Sequence, residues 1–162
     1  MMVTKREAVK KISELIKDIK IAMLMTEDAG GDFHSRPMMT QENEFDGDLW
    51  FFAGQTSDKV KEIEKKPAVN VVYVQGGKYI SIAGKADIVT DVKKKKELWN
   101  ETLRVWFETG PESPEVVLIR VDSKTAQYWD TPDGVIGYVA DMVKVLLTGD
   151  KDGAGESAKV KF

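Results

Sequence analysis

Residues 48–59 read DLWFFAGQTSDK. Three consecutive aromatic residues lead into a turn of small and polar residues, and VKEIEKK, which follows, has the character of a helix. This order predicts a buried strand, a turn and a capped helix start. The same junction could bind a ligand with one flat apolar end and one anionic end, and the rest of the sequence has to separate the two interpretations.

Composition narrows the class of protein. The chain has 162 residues, 42% hydrophobic and 31% charged, which is typical of one soluble globular domain. A net charge of −3 argues against nucleic acid and anionic lipid as partners. The absence of cysteine excludes disulfides, thiol nucleophiles and thiolate metal sites. Without a signal-like start or a membrane-length apolar run, we expect a cytoplasmic protein without a membrane partner.

Apolar spacing predicts four helices. The first starts at a capping box formed by Thr4 and Glu7, and its apolar stripe runs to Ile19. The second runs from Ser57 to about Lys65, and Pro67 marks its end. The other two helices are predicted at DVKKKKELWNETLRVWF (91–107) and GYVADMVKVLL (137–147).

Six strands are predicted from β-branched and aromatic content between turn residues. They are IAMLMT (21–26), FHSRPMMTQ (33–41), LWFFA (49–53), AVNVVYVQ (68–75), KYISIAGKADIV (78–89) and VVLIRVDSKTAQYWD (116–130). We expect the second and third strands to form an antiparallel pair, and the fourth and fifth to form a hairpin. Pro37 lacks an N–H group, so its strand should lie at a sheet edge or carry a bulge.

Neighbouring antiparallel strands favour an α+β barrel, mainly antiparallel and Greek-key-like, with peripheral helices. One domain should cover residues 1–150. Residues 151–162 should form a mobile C-terminal tail that has room for a final strand.

A candidate anion site lies at the start of the second helix. A helix N-terminus carries partial positive charge and free N–H groups, Thr56 and Ser57 supply hydroxyls, and Lys59 supplies a full charge. Arg36 could reach the same anion if its strand pairs with LWFFA. Taken alone, Ser57 is an ordinary helix cap and the three aromatic residues are ordinary core. Their co-occurrence favours a pocket with aromatic walls and an anion site.

An ordered series of motifs resembles a known family. The series comprises HSRPM (34–38), LWFF (49–52), TSDK (56–59) and YISIAGKADIV (79–89), followed by GPESP (110–114) and QYWD (127–130). It is similar to the FMN-binding split β-barrel family, and within it to the general stress protein 26 branch of the pyridoxamine 5′-phosphate oxidase-like proteins. The resemblance covers roughly residues 5–150.

The resemblance implies FMN as cofactor, with FAD as an alternative, and it assigns roles to residues. Arg36, Ser57 and Lys59 would contact the phosphate, with Thr56 beside them in the same turn. Trp50, Phe51 and Phe52 would lie beside the flavin ring, with backbone groups reading its polar edge, and Met38 would approach the same ring. The family's site forms across a homodimer, so Trp129 is the candidate contributed by the partner subunit.

The implied activity is that of a flavin-dependent oxidoreductase on an unknown substrate, with no catalytic residue assigned. No arginine follows Arg120, so the substrate-binding segment of true pyridoxamine phosphate oxidases is missing and that reaction is not expected. A non-catalytic flavin buffer or sensor, or a barrel that binds haem or a deazaflavin, stays open as an alternative.

Two further residues could contact a substrate. His34 is the sole histidine, which does not make a metal site, and it is either a polar strand residue or a contact near Arg36. Trp106 lies seven residues after Trp99, a spacing that returns to one helix face. It would either pack that helix on the barrel or cover the ligand from one side.

Overall fold

The computed structural model describes residues 4–130 and 156–162. Its helices are α1 (Lys5–Ile16), α2 (Asp58–Lys65) and α3 (Val92–Leu98), with a 3₁₀ helix at Glu101–Val105. Its strands are β1 (Ile21–Glu27), β2 (Phe33–Met39), β3 (Asp48–Gly54), β4 (Ala68–Gln75), β5 (Lys78–Val89), β6 (Val116–Asp130) and β7 (Glu156–Lys161). The helix predicted at 137–147 lies outside the described residues, whereas the final strand is confirmed as β7.

Seven antiparallel strands form one sheet in the order β2-β1-β4-β5-β6-β3, with β7 also paired to β6. The 15-residue strand β6 has three partners: β5 along most of its length, β3 beside its first half and β7 beside its second half. The end strands β2 and β3 contact each other without pairing in the described sheet. The sheet therefore curls into a barrel that is split between β2 and β3, which confirms the predicted α+β class.

The predicted pairing of β2 with β3 is wrong. β2 pairs with β1 through the tight turn at residues 28–32, where Gly31 adopts a φ of 91°. β3 pairs with β6, so that the LWFFA run lies against the equally apolar VVLI run. The short turn between β1 and β2 and the match between the buried runs of β3 and β6 outweigh the proximity of β2 and β3 in sequence. Pro37 lies on an edge strand, as predicted.

Strand alternation divides the aromatic run between two apolar clusters. The buried side chain of Phe51 belongs to the main core, which fills the barrel and extends to α1 and α2. Phe52 points to the opposite side and packs with Leu103, Val116 and Leu118 beneath the 3₁₀ helix. The first helix begins at the predicted capping box, in which the Thr4 hydroxyl accepts from the Glu7 N–H and the Glu7 carboxylate accepts from the Thr4 N–H.

The single helix predicted over residues 91–107 is also wrong. Trp99 has an extended backbone, and the Asn100 side chain accepts a hydrogen bond from the Thr102 N–H, which starts the separate 3₁₀ helix. A short polar side chain that bonds its neighbouring backbone competes with helix continuation. As a result Trp99 and Trp106 do not share a helix face: Trp99 packs edge-on against Phe52, whereas Trp106 is 61% exposed.

None of the helices in the described ranges is long and apolar enough to span a membrane.

Candidate functional site

The turn between β3 and α2 leaves the start of the helix uncapped by a side chain. Ser57 occupies the N-cap position, with φ −68° and ψ 151°, but its hydroxyl donates to the Gly54 carbonyl oxygen at 2.7 Å. The interpretation of Ser57 as an ordinary side-chain cap therefore does not hold. The Asp58 and Lys59 N–H groups have no acceptor among the described residues and are available to an anion, whereas the Val60 N–H donates to the Ser57 carbonyl oxygen at 3.1 Å.

A cavity of about 420 Å³ lies beside this helix start. We call it the Lys59 cavity. It is lined by Ile21, Pro37, Met38, Met39, Gln41, Phe52, Ala53, Gly54, Lys59, Leu103, Trp106 and Phe107. Four of the sequence-predicted site residues, Met38, Phe52, Lys59 and Trp106, thus meet in one place. Most of the wall is apolar, and a lysine provides its charge, which suits a ligand with an apolar body and an anionic end.

Lys59 is half-buried and unpaired. In the described part of the chain its ammonium group has no carboxylate within ion-pair distance and no hydrogen-bond partner. Burial lowers the pKa of Lys59, and the neighbouring positive charge of Arg36 lowers it further. A partly desolvated cation without a counter-ion is a favourable partner for an incoming anion.

Arg36, in contrast, already has protein partners. Its guanidinium donates to the Glu62 carboxylate at 3.2 Å, to the Thr26 hydroxyl at 2.5 Å and to the Leu24 carbonyl at 3.4 Å. The Thr26 hydroxyl also donates to the same Glu62 oxygen at 2.5 Å. Arg36 therefore ties β2 to β1 and α2, and it does not line the Lys59 cavity. Thr26 is a polar residue at an inward position of a buried strand, and this position is the feature of the sequence from which the network could have been predicted.

The three aromatic residues of β3 do not share one role. Phe52 lines the Lys59 cavity, while the Phe51 side chain lies in the barrel core and can offer a ligand in the Lys59 cavity only its backbone. Trp50 is half-buried, with the Lys94 ammonium 4.8 Å from its ring centre. Within the described sheet β3 pairs only with β6, so its other edge presents unpaired backbone groups toward the split.

A second cavity of about 530 Å³ adjoins the first, and Gly54, Trp106 and Phe107 line both. Thr56 and Gln55 also line this second cavity. Trp106 therefore stands between the two spaces, a position from which it could contact a bound molecule. Its exposure argues against the alternative of packing on the barrel, and the covering role stays a prediction.

Comparison with known proteins identifies the family of this chain. The sequence model described as "Pyridoxamine 5'-phosphate oxidase like" matches residues 7–152. The chain belongs to this family. The protein bli-3 of Neurospora crassa is 30% identical over 155 residues, a match that covers 88% of this chain and 74% of that protein.

Solved structures of similar proteins have the same fold as this chain. The general stress protein 26 of Bacillus anthracis superposes with a TM-score of 0.67 at 30% identity, covering 75% of this chain and 92% of that one. A protein of Xanthomonas citri described as a general stress FMN/FAD binding protein gives a TM-score of 0.66 at 27% identity, covering 77% and 89%. The split barrel described above is thus the fold of the family.

His34, considered as a possible substrate contact, and Trp129, assigned through the family resemblance, are both absent from the wall of the Lys59 cavity. The His34 imidazole is 2.8 Å from the Asp28 carboxylate at the β1–β2 turn, and this hydrogen bond raises the pKa of His34 and lowers that of Asp28. Trp129 is 43% exposed near the far end of β6, opposite Tyr79 on β5. Trp129 does not line the Lys59 cavity of its own chain. No group of three potential metal ligands occurs in the described ranges.

Proposed function

We propose that this chain binds a flavin, FMN in the first place and FAD as the alternative, in the Lys59 cavity. The observation that carries the proposal is the half-buried, unpaired Lys59 beside a helix start that lacks a side-chain cap, at one end of an apolar cavity. A phosphate placed there would meet a full charge and backbone N–H groups, with the Thr56 hydroxyl in the adjoining cavity. Arg36 would act indirectly, by holding Glu62 away from the Lys59 ammonium group through their ion pair.

The remaining wall suits the flavin ring. Met38 and Phe52 offer polarizable and aromatic surface, and the unpaired edge of β3 offers backbone groups to the polar edge of the ring. A volume of about 420 Å³ falls within the range of cofactor pockets. The family and the description of the Xanthomonas citri protein support the same ligand class.

Phosphate dependence tests this proposal. FMN, FAD and riboflavin are titrated into the cofactor-free protein by fluorescence, with Lys59→Ala beside the wild type. We expect FMN to bind the wild type far more tightly than riboflavin. Lys59→Ala should weaken FMN binding by about 1.5–3 kcal/mol, a charge-assisted hydrogen bond, and leave riboflavin binding nearly unchanged.

Lys61→Ala is the matched control for this titration. Lys61 lies on the same helix, but it is exposed and 3.8 Å from the Asp58 carboxylate. Its removal should not affect FMN affinity. Equal binding of FMN and riboflavin by the wild type would overturn the assignment of the α2 start as a phosphate site.

A homodimer is part of the proposal, because a broad apolar surface covers the outer face of the sheet. We call it the outer apolar face. Its exposed members are Ile21, Met23, Phe33, Val74, Tyr79 and Trp129. Strand register makes it continuous: Met23 lies opposite Val72, Val74 opposite Tyr79, and Tyr79 opposite Trp129. Large exposed apolar faces on soluble domains mark protein interfaces.

A second copy on this face would also complete the site. Ile21 belongs both to the outer apolar face and to the wall of the Lys59 cavity, and Pro37, opposite Met23, also lines that wall, so the cavity opens at the edge of the face. The partner subunit would supply a Trp129 side chain to the cavity, whose wall does not include the Trp129 of its own chain.

The proposed activity is that of a flavin-dependent oxidoreductase. The bound flavin would supply hydride or electron transfer, while the chain would orient the ring and exclude water from one of its faces. We assign no side chain as a general acid or base. His34 is outside the cavity wall and already bonded to Asp28, which disfavours a haem ligand role. Oxidation of a reduced nicotinamide by the FMN-loaded protein, with an electron acceptor present, separates an enzyme from a flavin-binding protein without turnover.

A further inference from the structure

A third cavity, of about 490 Å³, lies between α1, the start of β3 and the connection at residues 40–47. We call it the Tyr73 cavity. Its wall shares only Gln41 with the wall of the Lys59 cavity. It is therefore a separate space, and the flavin proposal leaves it unused.

The inner wall of the Tyr73 cavity is apolar and well buried. It is made by Ile16, Phe45, Leu49, Phe51 and Tyr73, each less than 9% exposed. Trp50 adds a half-buried aromatic surface. These side chains belong to the barrel core or stand beside it, so the wall is held by the packing of the whole sheet and not by a loop.

Tyr73 brings one polar group into this wall. Its side chain is only 2% exposed, and its hydroxyl has no hydrogen-bond partner in the described part of the chain. The Tyr73 hydroxyl is not among the fully enclosed side-chain polar atoms of the described residues that lack a partner, so it reaches the open space of the cavity, where a bound molecule can accept its proton. Burial also raises the pKa of Tyr73, so the hydroxyl keeps its proton at neutral pH and can donate it.

The rim of the cavity has nearly balanced charge. Lys20 pairs with Glu42 at 3.5 Å, and Asp48 pairs with Arg120 at 2.9 Å. Lys17 and Glu44 add one charge of each sign. Ser13, Thr40, Gln41 and Asn43 complete the rim with uncharged polar groups. This arrangement favours neither an anion nor a cation.

We propose that the Tyr73 cavity binds a small uncharged organic molecule, with an apolar body against the inner wall and one hydrogen-bond acceptor, such as a ketone carbonyl, that takes the Tyr73 hydroxyl proton. The site is independent of the flavin site. The ligand class follows from three features: an apolar wall, the Tyr73 hydroxyl in that wall with no partner among the described residues, and a rim of nearly balanced charge.

Acetophenone is the probe, because it has an aromatic ring, one carbonyl acceptor and no donor. It is titrated into isotope-labelled protein, with and without saturating FMN, and backbone amide NMR shifts are followed. We expect saturable shifts at Ile16, Leu49 and Tyr73, and the same affinity whether or not FMN is present. Tyr73→Phe removes only the hydroxyl and should weaken acetophenone about tenfold, as the loss of one neutral hydrogen bond.

Ethylbenzene, which lacks the carbonyl acceptor, is the control ligand matched to acetophenone. It should bind wild type and Tyr73→Phe alike, and more weakly than acetophenone binds the wild type. This comparison within the wild type keeps the test decisive if the variant does not fold. Shifts that do not saturate, shifts that fall at Met38 and Phe52 instead, or equal acetophenone affinity in Tyr73→Phe would each overturn the proposal and leave a cavity filled by water only.

Discussion

Lys59 and Arg36 are both positively charged and lie near each other, but they differ in their protein partners. Arg36 is enclosed by Glu62, Thr26 and Leu24, so its charge is neutralised and its fork joins three elements. Lys59 is half-buried and has no counter-ion among the described residues. We therefore expect Arg36 to contribute mainly to folding and, if the flavin proposal holds, Lys59 to contribute mainly to ligand binding.

Substitution by methionine should separate the two contributions. Arg36→Met leaves the Glu62 carboxylate with the Thr26 hydroxyl but without its cationic partner, and we expect the free energy of unfolding to fall by about 1.5–3 kcal/mol. Lys59→Met removes a partly desolvated, unpaired charge and should change that free energy by less than about 0.5 kcal/mol. Urea unfolding measures both variants in the absence of ligand. A larger loss in Lys59→Met than in Arg36→Met would contradict this division.

Lys95 gives a second test at the residue scale. Its side chain is 1% exposed, and its ammonium group donates to the Ser113 carbonyl at 2.9 Å and to the Val116 carbonyl at 2.8 Å. Lys95→Met keeps the apolar stem but leaves two carbonyl groups without this donor, so we expect a loss of about 1–3 kcal/mol in unfolding free energy. Lys93→Met, at an exposed position of the same helix, should have no measurable effect. Equal stability of both variants would show that water replaces the Lys95 bonds.

At the scale of elements, the sequence predicts which segments are strands better than it predicts which strands pair. Alternation and β-branched content identify the strands because these patterns act within a few residues. The partner of β3 depends on β6, far along the chain, and no pattern in LWFFA itself distinguishes β6 from β2. The break at Asn100 was equally hidden, since apolar spacing continues across it and only the bond to the Thr102 N–H interrupts the helix.

Prediction of the candidate site from sequence has the same limit. Phe52 and Lys59 both line the Lys59 cavity, because a strand and a helix start that are adjacent in sequence must stay adjacent in space, whereas Met38 comes from β2 and Trp106 from the residue after the 3₁₀ helix. Glu62 and Thr26 were missed as partners of Arg36, because their proximity arises only when α2 packs on β1. Phe51 points inward because strand alternation allows Phe52 but not its neighbour to face the cavity.

The β1–β2 hairpin should show a pH-dependent contribution to stability from His34 and Asp28. The pKa of His34 is raised, so its contribution is complete below about pH 6.5 and is lost as the pH rises through the folded-state pKa. The pKa of Asp28 is lowered, so its contribution is complete above about pH 4 and is lost as the pH falls through the folded-state pKa. The Tm difference between wild type and His34→Gln should peak near pH 5, and a difference that stays flat from pH 3 to 8 would rule out the pair.

The register shift between β5 and β6 offers a test of sheet packing. It occurs between Ala83 and Gly84, and a methyl group added at Gly84 would collide with the Asp122 carbonyl oxygen. Gly84→Ala should therefore lower the unfolding free energy by about 1–3 kcal/mol, the usual cost of overpacking. Gly54→Ala is the control, since a methyl group there would meet open space. Urea unfolding of both variants gives the comparison.

At the scale of the whole molecule, the outer apolar face and the Lys59 cavity are one continuous feature. A sheet that exposes Tyr79 and Trp129 side by side should be covered by a second copy. Binding of the flavin would then depend on association, because each cavity would need a tryptophan from the other chain. The affinity for FMN should accordingly fall when the protein is diluted below its dimerisation range.

Tyr79→Glu is expected to convert the dimer to a monomer, because it places a charge at the centre of the apolar contact. Light scattering after size-exclusion chromatography measures the mass at micromolar concentration, and an FMN titration follows on the same sample. Val105→Glu is the control, since Val105 is 76% exposed but lies on the 3₁₀ helix. A wild-type protein that is monomeric at micromolar concentration would contradict the shared site.

The three partners of β6 also set an order of events during synthesis. The ribosome synthesises β3 long before β6. The β3–β6 ladder, in which Asp48 lies opposite Asp122, therefore cannot form until β6 has been made. Until then the LWFFA segment has no described strand to cover it, and such apolar segments readily associate with other chains. The nascent polypeptide is therefore most vulnerable in the interval between these two strands. In a cell, the yield of this protein should depend on chaperones that hold nascent chains through that interval.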